Sequence, residues 1–394
     1  MGRLFNKVAD NDTEQKILPK LLTSENIKKR EFINGYCNGK YTEKGIGWLN
    51  SIDMKKWNVV EKANLLKNLL PSIEVWKKVS DLLGEQEYLY WSEVDIRAYW
   101  EDLNIFESAI DKLLKYQRPN TVIDIISTML YKKLPLDVDR SVKALLANRE
   151  ITKINKYDGL NIYHITEIIK ALQQSPDVSQ NDLFQIEWFY LANMDRIGSD
   201  VIPKTLENKI ATEPDFFCEL MQYAYKASNE TQKKLNEQEK NRAEAAYKLL
   251  HNWETIPGFV DDVFSEKDFN NWLRLVKDKC KKSGRLDMAL QIIGNTLIYT
   301  PKDKSELWIN KTIAQALDSE DSKEMRIGFH TGIKNSRGVY TVNPTGEQED
   351  ELANKYQNQS NDLEQNGYIN FAQTLKDVSN SYRNKADRTR NNYP

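Results

Sequence analysis

The sequence predicts an all-α protein built from stacked antiparallel helix pairs. Apolar residues recur with a period of 3.6 along almost the whole chain, which is the pattern of amphipathic helices. Alternating strand patterns are nearly absent, and the connections between apolar stripes are short, so consecutive helices should pack antiparallel. Such pairs favour an α-solenoid-like arrangement of the HEAT/TPR kind, although no exact repeat period identifies one class.

Each predicted helix has one apolar face wide enough to bury. The stripes occupy residues 106–114, 122–130, 162–172, 217–224, 269–280, 286–297 and 371–382. Apolar residues make up 40% of the chain and charged residues 29%. This composition supports a sizeable core and is not that of a disordered chain.

Start and stop signals separate these stripes. Pairs typical of helix N-caps are Ser179 with Asp182, Thr212 with Asp215, Ser265 with Asp268, and Thr345 with Gln348. Proline is tolerated in a first helical turn, where its missing N–H costs nothing, and glycine is common at helix ends. The sequence places Pro119 and Pro214 at such starts, and Gly84 and Gly284 at such ends. The best strand candidate, residues 338–342, reads as an extended loop.

Changes in composition divide the chain into three predicted regions. Residues 1–155 form an N-terminal helical array, and residues 156–255 a middle helical region that contains a charged segment at 228–242. Residues 256–394 form a C-terminal helical region.

Composition also excludes several classes of protein. A run of eighteen apolar residues and an apolar N-terminal signal are both absent from the sequence, so we predict a cytoplasmic protein without a membrane partner. The net charge of -2 gives no overall footprint for nucleic acid. Basic clusters at 28–30, 277–282 and 383–390 are interpreted as solvated helix faces.

Known catalytic and metal-binding motifs are missing from the sequence. It has no complete phosphate loop, no GxSxG nucleophile elbow and no HExxH. The three histidines, His164, His251 and His330, are far apart, and the three cysteines lack CxxC spacing. Cys218 and Cys280 fall on apolar faces and are interpreted as core residues. We therefore predict no catalytic residue, metal or cofactor for this chain.

The candidate binding site is the loop of Asn335, Ser336, Arg337 and Gly338. A helix is predicted to end within residues 328–338, and a loop rich in Gly, Asn, Ser and Arg follows. Such a loop can present backbone N–H groups and a guanidinium to an anion or a nucleotide. The alternative, which we favour, is that Arg337 pairs internally with Glu347 or Glu349 at the start of the next helix, with bidentate geometry.

Two aromatic clusters are a second feature above background. They comprise Tyr88, Tyr90, Trp91, Tyr99 and Trp100, and then Trp188, Phe189 and Tyr190. Aromatic side chains can line a peptide groove. Packing between helices is the interpretation that we favour.

Several stretches resemble a family of large, poorly characterised bacterial multidomain proteins. The similar stretches are residues 32–49, Tyr90-Trp91 with Arg118-Pro119, 214–217, 283–286, 292–294 with Trp308, 326–339 (RIGFHTGIKNSRGV) and 348–356. They cover most of the chain in order, and their specificity depends mainly on the NSRG motif. The resemblance implies a C-terminal helical region that follows other modules, in architectures like those of bacterial defence proteins.

The resemblance and the predicted fold together favour a protein–protein interaction or sensor module of anti-phage defence that binds a protein or peptide partner. Concave surfaces of stacked helices usually serve such binding. A nucleotide- or anion-binding protein that uses residues 335–338 is one alternative. A structural or oligomerisation scaffold is the other.

Overall fold

The computed structural model describes residues 11–96, 103–152, 159–194, 201–228, 234–260, 263–302, 307–341 and 343–392. Nineteen α-helices lie in these residues, and they pack in pairs. The extended structure within them is one antiparallel pair of two-residue strands, β1 (Phe259–Val260) and β2 (Val263–Phe264). The prediction of an all-α protein is confirmed.

The chain divides into two compact units, residues 1–202 (unit 1) and 203–394 (unit 2). The predicted boundaries after residues 155 and 255 both fall inside a unit. Contacts across each of them explain this difference. In unit 1, the Tyr190 hydroxyl donates to the Leu145 carbonyl at 2.9 Å. In unit 2, the Thr296 hydroxyl donates to the Trp253 carbonyl at 3.0 Å.

The described part of unit 1 contains ten α-helices. They are α1 (Asn11–Leu22), α2 (Ile27–Ser51), α3 (Val59–Lys67), α4 (Ile73–Leu83), α5 (Tyr88–Trp91), α6 (Leu103–Lys115), α7 (Pro119–Tyr131), α8 (Val138–Thr152), α9 (Gly159–Gln173) and α10 (Gln180–Met194). Asn26 caps α2, and Asn58 forms a reciprocal capping box with Glu61 at the start of α3.

A buried carboxylate joins α1 to α2. Glu14 is 4% exposed. It accepts hydrogen bonds from the Tyr36 hydroxyl and, at 3.0 Å, from the Trp48 indole N–H, and its ion pair with Lys40 is 2.8 Å long. Burial opposes ionisation, but the hydrogen bonds from Lys40, Tyr36 and Trp48 hold the pKa of Glu14 below its usual range. The charged form is therefore the stable one in the folded protein.

We expect Glu14→Gln to lower the free energy of unfolding by about 2 kcal/mol at neutral pH, because hydrogen bonds to a charged group are lost. A carboxyl group whose pKa is lowered by folding stabilises the folded protein fully at pH values above 4.5, the ordinary pKa of the group. This stabilisation is lost as the pH falls through the folded-state pKa. Urea titrations between pH 7 and pH 4 should show the difference from the wild type narrowing below pH 4.5. Glu43→Gln, an exposed change on α2, is the control. A difference that is independent of pH would contradict an ionised Glu14.

Unit 2 contains nine α-helices within the described residues. They are α11 (Lys204–Thr212), α12 (Pro214–Ala224), α13 (Glu237–His251), α14 (Glu266–Lys282), α15 (Leu286–Thr296), α16 (Lys311–Asp318), α17 (Lys323–Ser336), α18 (Glu347–Gln365) and α19 (Ile369–Asn392). Phe217, Trp253 and Trp272 are buried, with ring centroids 5.3–5.8 Å apart, and they form an aromatic core for α12, α14 and the end of α13.

Helices α18 and α19 are an antiparallel pair. The Ser360 hydroxyl donates to the Ala372 carbonyl, and the Ser379 hydroxyl donates to the Ala353 carbonyl, both at 2.7 Å. Residues later in α19 therefore contact residues earlier in α18, so the two helices run in opposite directions. The three residues between the helices include Gly367, whose φ of +86° suits glycine.

Helices α15 and α17 approach each other until their backbones touch. A Cβ atom on Gly294 would lie 1.9 Å from the Met325 carbonyl oxygen, and one on Gly328 would lie 2.0 Å from the Gln291 carbonyl oxygen. Glycine in a helix interior costs about 1 kcal/mol relative to alanine. The close approach of the helices is the reason that glycine is needed at these positions.

The predicted helix ends are partly confirmed. The Ser179 hydroxyl accepts the Asp182 N–H at 3.2 Å, and the Ser265 hydroxyl accepts the Asp268 N–H at 3.3 Å. Pro119 and Pro214 begin α7 and α12, and Gly84 and Gly284 have positive φ beyond α4 and α14.

Two predicted caps are wrong. Thr212 ends α11, because Pro214 disfavours helical geometry at Glu213 and so places the break there. The N-cap of α18 is Gly346, with φ of +70°, and the Thr345 hydroxyl accepts the N–H of Glu347 rather than of Gln348. Among the described helices, none combines the length and apolar character needed to cross a bilayer.

Candidate functional site

The NSRG motif lies where α17 ends. Asn335 and Ser336 belong to the last turn of α17, Arg337 is the residue after it, and Gly338 follows with φ of +61°. The helix predicted to end within residues 328–338 ends at Ser336, near the end of that stretch. Gly328 and Gly332 belong to the helix and face α15, where larger residues would not fit.

Arg337 makes the internal contact that the sequence favours. Its guanidinium donates to Glu349 at 2.8 Å, and its second terminal nitrogen lies 3.5 Å from the Gln348 side-chain oxygen. The pair is thus not bidentate on the carboxylate. The Glu349 side chain is 0% exposed and that of Arg337 is 16% exposed. One Glu349 oxygen, Oε2, is buried without a hydrogen-bond partner among the described residues.

Aromatic rings complete the surroundings of Arg337. The guanidinium carbon lies 3.4 Å from the Tyr340 ring centroid, and the Lys385 ammonium lies 4.6 Å from the same ring. Burial and the charge of Arg337 lower the pKa of Lys385. Residues 337–340 are thereby held against α18 and α19.

The remaining groups of the motif offer little to an anion. The Ser336 hydroxyl donates to the Ile333 carbonyl at 3.0 Å, and the Gly338 N–H donates to the Asn335 carbonyl at 3.0 Å. The Asn335 side chain is exposed. Ligand binding at residues 335–338 stays a prediction, and the geometry supplies an architectural role for Arg337.

The histidines lie in three separate environments. The His164 ring contacts Asp124 at 2.8 Å, and the His251 ring contacts the Tyr225 hydroxyl at 2.7 Å. Burial lowers the pKa of His251, and burial with the nearby Lys334 charge lowers the pKa of His330. Within the described residues, no three His, Cys, Asp or Glu side chains converge in a way that could hold a metal ion.

Many side chains of the two aromatic clusters are packed in the protein interior, which is the interpretation favoured from the sequence. Tyr90, Trp91 and Tyr190 are at most 2% exposed, whereas Tyr88 is 49% exposed. The Trp76 indole N–H donates to the Tyr90 hydroxyl at 3.1 Å. Tyr99 and Trp100 lie outside the described residues.

The structure contains a groove in unit 1 that the sequence analysis missed. It has a volume of about 760 Å³ and lies between the α1–α2 connection, α2, α3 and the end of α5. Leu22, Ile33 and Ala63 are its buried apolar residues. Val60, at its edge, is 44% exposed. The volume of the groove lies in the range of ligand-binding clefts, and most of the residues that line it are polar or charged.

Three asparagine amides line the groove, and each has an unused polar group. The Asn34 side-chain carbonyl accepts a hydrogen bond from the Asn38 side-chain NH₂ at 2.9 Å. The Asn64 side-chain NH₂ donates to the backbone carbonyl of Leu22 at 2.9 Å, and the Asn68 side-chain NH₂ donates to the backbone carbonyl of Asn64 at 2.7 Å. The NH₂ of Asn34 and the side-chain carbonyls of Asn64 and Asn68 make no hydrogen bond to a described residue. The groove therefore offers both donors and acceptors.

The charges at the groove are mixed. Lys67 and Glu93 form an ion pair of 2.5 Å. Glu25, Arg30 and Glu31 are exposed at the rim and form no ion pair with any residue that the structure describes. Two carboxylates and one guanidinium are thus left to meet a ligand.

A pattern in the sequence pointed towards this groove. Asn64 and Asn68, which both line the groove, are four residues apart, and this spacing aligns side chains on one helix face.

Comparison with known protein families, with curated proteins and with solved structures gave no match.

Proposed function

We propose that this chain is a protein-interaction module and that the groove of unit 1 docks an extended segment of a partner protein. The observation that carries the proposal is the combination of an apolar base with unused amide groups on both sides. A peptide backbone presents a donor and an acceptor at each residue. Side-chain amides match both, and Leu22 and Ile33 can bury an apolar side chain of the segment.

The charges favour a segment with basic residues. Lys67 is neutralised by Glu93, so the free charges at the rim are those of Glu25, Arg30 and Glu31. A nucleotide or a nucleic-acid backbone would meet more carboxylates than free cations there and would be repelled. An aliphatic residue flanked by Lys or Arg is the partner chemistry that fits best.

The arrangement of the helices supports a solenoid-like array as part of this proposal. Helix α9 contacts α7 through His164 and Asp124, and α17 contacts α15 through Gly328 and Gln291, in each case past an intervening helix. Stacked helix pairs make such contacts between alternate helices, and they expose long concave surfaces. A sensor role in bacterial defence, suggested by the sequence resemblance, would use the same docking event.

The proposal can be tested by charge reversal at the rim. Peptides selected on the wild-type chain from a random twelve-residue display library should be enriched in Lys or Arg beside an aliphatic residue. We expect Glu31→Arg to raise the Kd of such a peptide about tenfold, which is 1.4 kcal/mol. Fluorescence anisotropy with the labelled peptide measures this change.

The matched control is Glu43→Arg, an exposed reversal on the same helix that lies outside the groove. It should leave the Kd within twofold. Equal weakening by both variants would indicate a general charge effect, and selected peptides that bind Glu31→Arg as well as the wild type would rule out the groove as their site.

A further inference from the structure

Two cysteines that are far apart in the sequence meet inside unit 2. Cys218 on α12 and Cys280 on α14 have their sulfur atoms 3.7 Å apart. Both are free thiols, with Cys218 7% exposed and Cys280 1% exposed. From the sequence we predict two separate core residues, because positions 218 and 280 are 62 residues apart in the chain.

The two helices pack against each other close to the thiols. The Phe217 ring of α12 and the Trp272 ring of α14 have their centroids 5.3 Å apart. Lys279 forms an ion pair with Asp215 of α12. The sulfur atoms therefore stay close without a covalent bond.

The thiols have different characters. The two sulfur atoms are in hydrogen-bond contact, in which either thiol could be the donor. This bond lowers the pKa of Cys280 against the effect of burial, and the Arg285 charge lowers it further. The same bond raises the pKa of Cys218. Cys280 is thus the better nucleophile of the two, because the thiolate is the reactive form.

We propose that Cys218 and Cys280 are an oxidation site at which peroxide forms a disulfide that joins α12 to α14. In the first step the Cys280 thiolate attacks one peroxide oxygen, the O–O bond breaks, and a sulfenic acid and hydroxide form; the hydroxide takes up the proton that the Cys280 thiol lost and becomes water. In the second step Cys218 attacks the sulfenic sulfur, the S–O bond breaks, and a second water leaves with the Cys218 proton. Both thiols are oxidised by two electrons in total, and hydrogen peroxide is reduced to two waters.

The geometry suits this reaction. A disulfide requires the sulfur atoms to close to about 2.05 Å, which rotation of two neighbouring side chains can provide. Oxidation would tie residues 218 and 280 together and so restrict the unfolded chain. In a reducing compartment the dithiol is the resting state, and the disulfide would form under oxidative stress.

The test uses the full chain, first reduced and then treated with hydrogen peroxide under native conditions. After unfolding and alkylation, peptide mass mapping should find a linked 218–280 pair two hydrogens lighter, with Cys37 alkylated in the same sample. Dithiothreitol should reverse the link. The oxidised chain should unfold about 5 °C or more above the reduced chain.

Comparison within each variant separates this effect from simple destabilisation. The difference between oxidised and reduced unfolding temperatures should vanish in Cys218→Ala and in Cys280→Ala, and it should persist in Cys37→Ala. Links that involve Cys37, links between two chains, or alkylation of both Cys218 and Cys280 after peroxide treatment would overturn the proposal. The groove lies in unit 1, and the oxidation test makes no use of peptide binding, so either proposal can fail without the other.

Discussion

Replacing Gly328 with alanine should lower the free energy of unfolding by about 3 kcal/mol or more, the upper end of what overpacking costs. The added methyl group would lie 2.0 Å from the oxygen of the Gln291 carbonyl, which is part of the backbone of α15. Backbone cannot rotate away as a side chain can, so α15 and α17 must separate. A urea titration followed by circular dichroism measures the loss, and hydrogen exchange should show it in both helices.

A second glycine provides a control for this prediction. Gly47 also lies in α2, two residues after a break in helical geometry at Gly45, but a Cβ atom there would meet no atom outside its own stretch of helix within 4 Å. Gly47→Ala should therefore be neutral or stabilise the protein by up to about 1 kcal/mol, through helix propensity alone. Equal effects of the two substitutions would contradict direct backbone contact between α15 and α17.

Local rules predicted the helices well, because each helix is encoded by its own residues. The caps at Ser179 and Ser265, and the helix starts at Pro119 and Pro214, depend on interactions within a single turn. The failure at Thr212 has the same local origin, since the effect of Pro214 on the residue before it outweighs a loose cap pattern.

Features that depend on distant contacts could not be predicted in this way. The need for glycine at position 328 is evident only beside the Gln291 carbonyl of α15. The groove needs four segments between Leu22 and Glu93 to come together. The sequence also contains no sign that Cys218 and Cys280 would meet, because helix order does not determine which helices pack.

The aromatic clusters illustrate a case in which both interpretations were open. Tyr90 and Trp91 are residue types that are common at binding surfaces. In this structure they are buried near Trp76, with the centroids of the Trp76 and Trp91 rings 5.3 Å apart. Composition alone does not distinguish a packed aromatic residue from one that lines a groove. The groove in fact uses aliphatic and amide groups, such as Leu22 and Asn64.

Arg337→Ala should cost about 3–5 kcal/mol of unfolding free energy, as expected when one partner of a buried ion pair is removed. The substitution would leave Glu349 charged and 0% exposed, with its second oxygen already lacking a partner among the described residues. It would also remove the guanidinium stacked on Tyr340. Denaturant titration of unfolding measures the loss, and Arg337→Lys should recover part of it because the positive charge returns.

An exposed arginine on α19 is the appropriate comparison. Arg383 is exposed and forms no ion pair with a described residue, so Arg383→Ala should change the free energy of unfolding by less than about 0.5 kcal/mol. A ligand-binding arginine at the surface would behave like Arg383 in this measurement, since exposed charge pairs contribute less than about 1 kcal/mol. If Arg337→Ala left stability unchanged and abolished a biological activity, residues 335–338 would be a binding site, and the contact with Glu349 would be secondary to it.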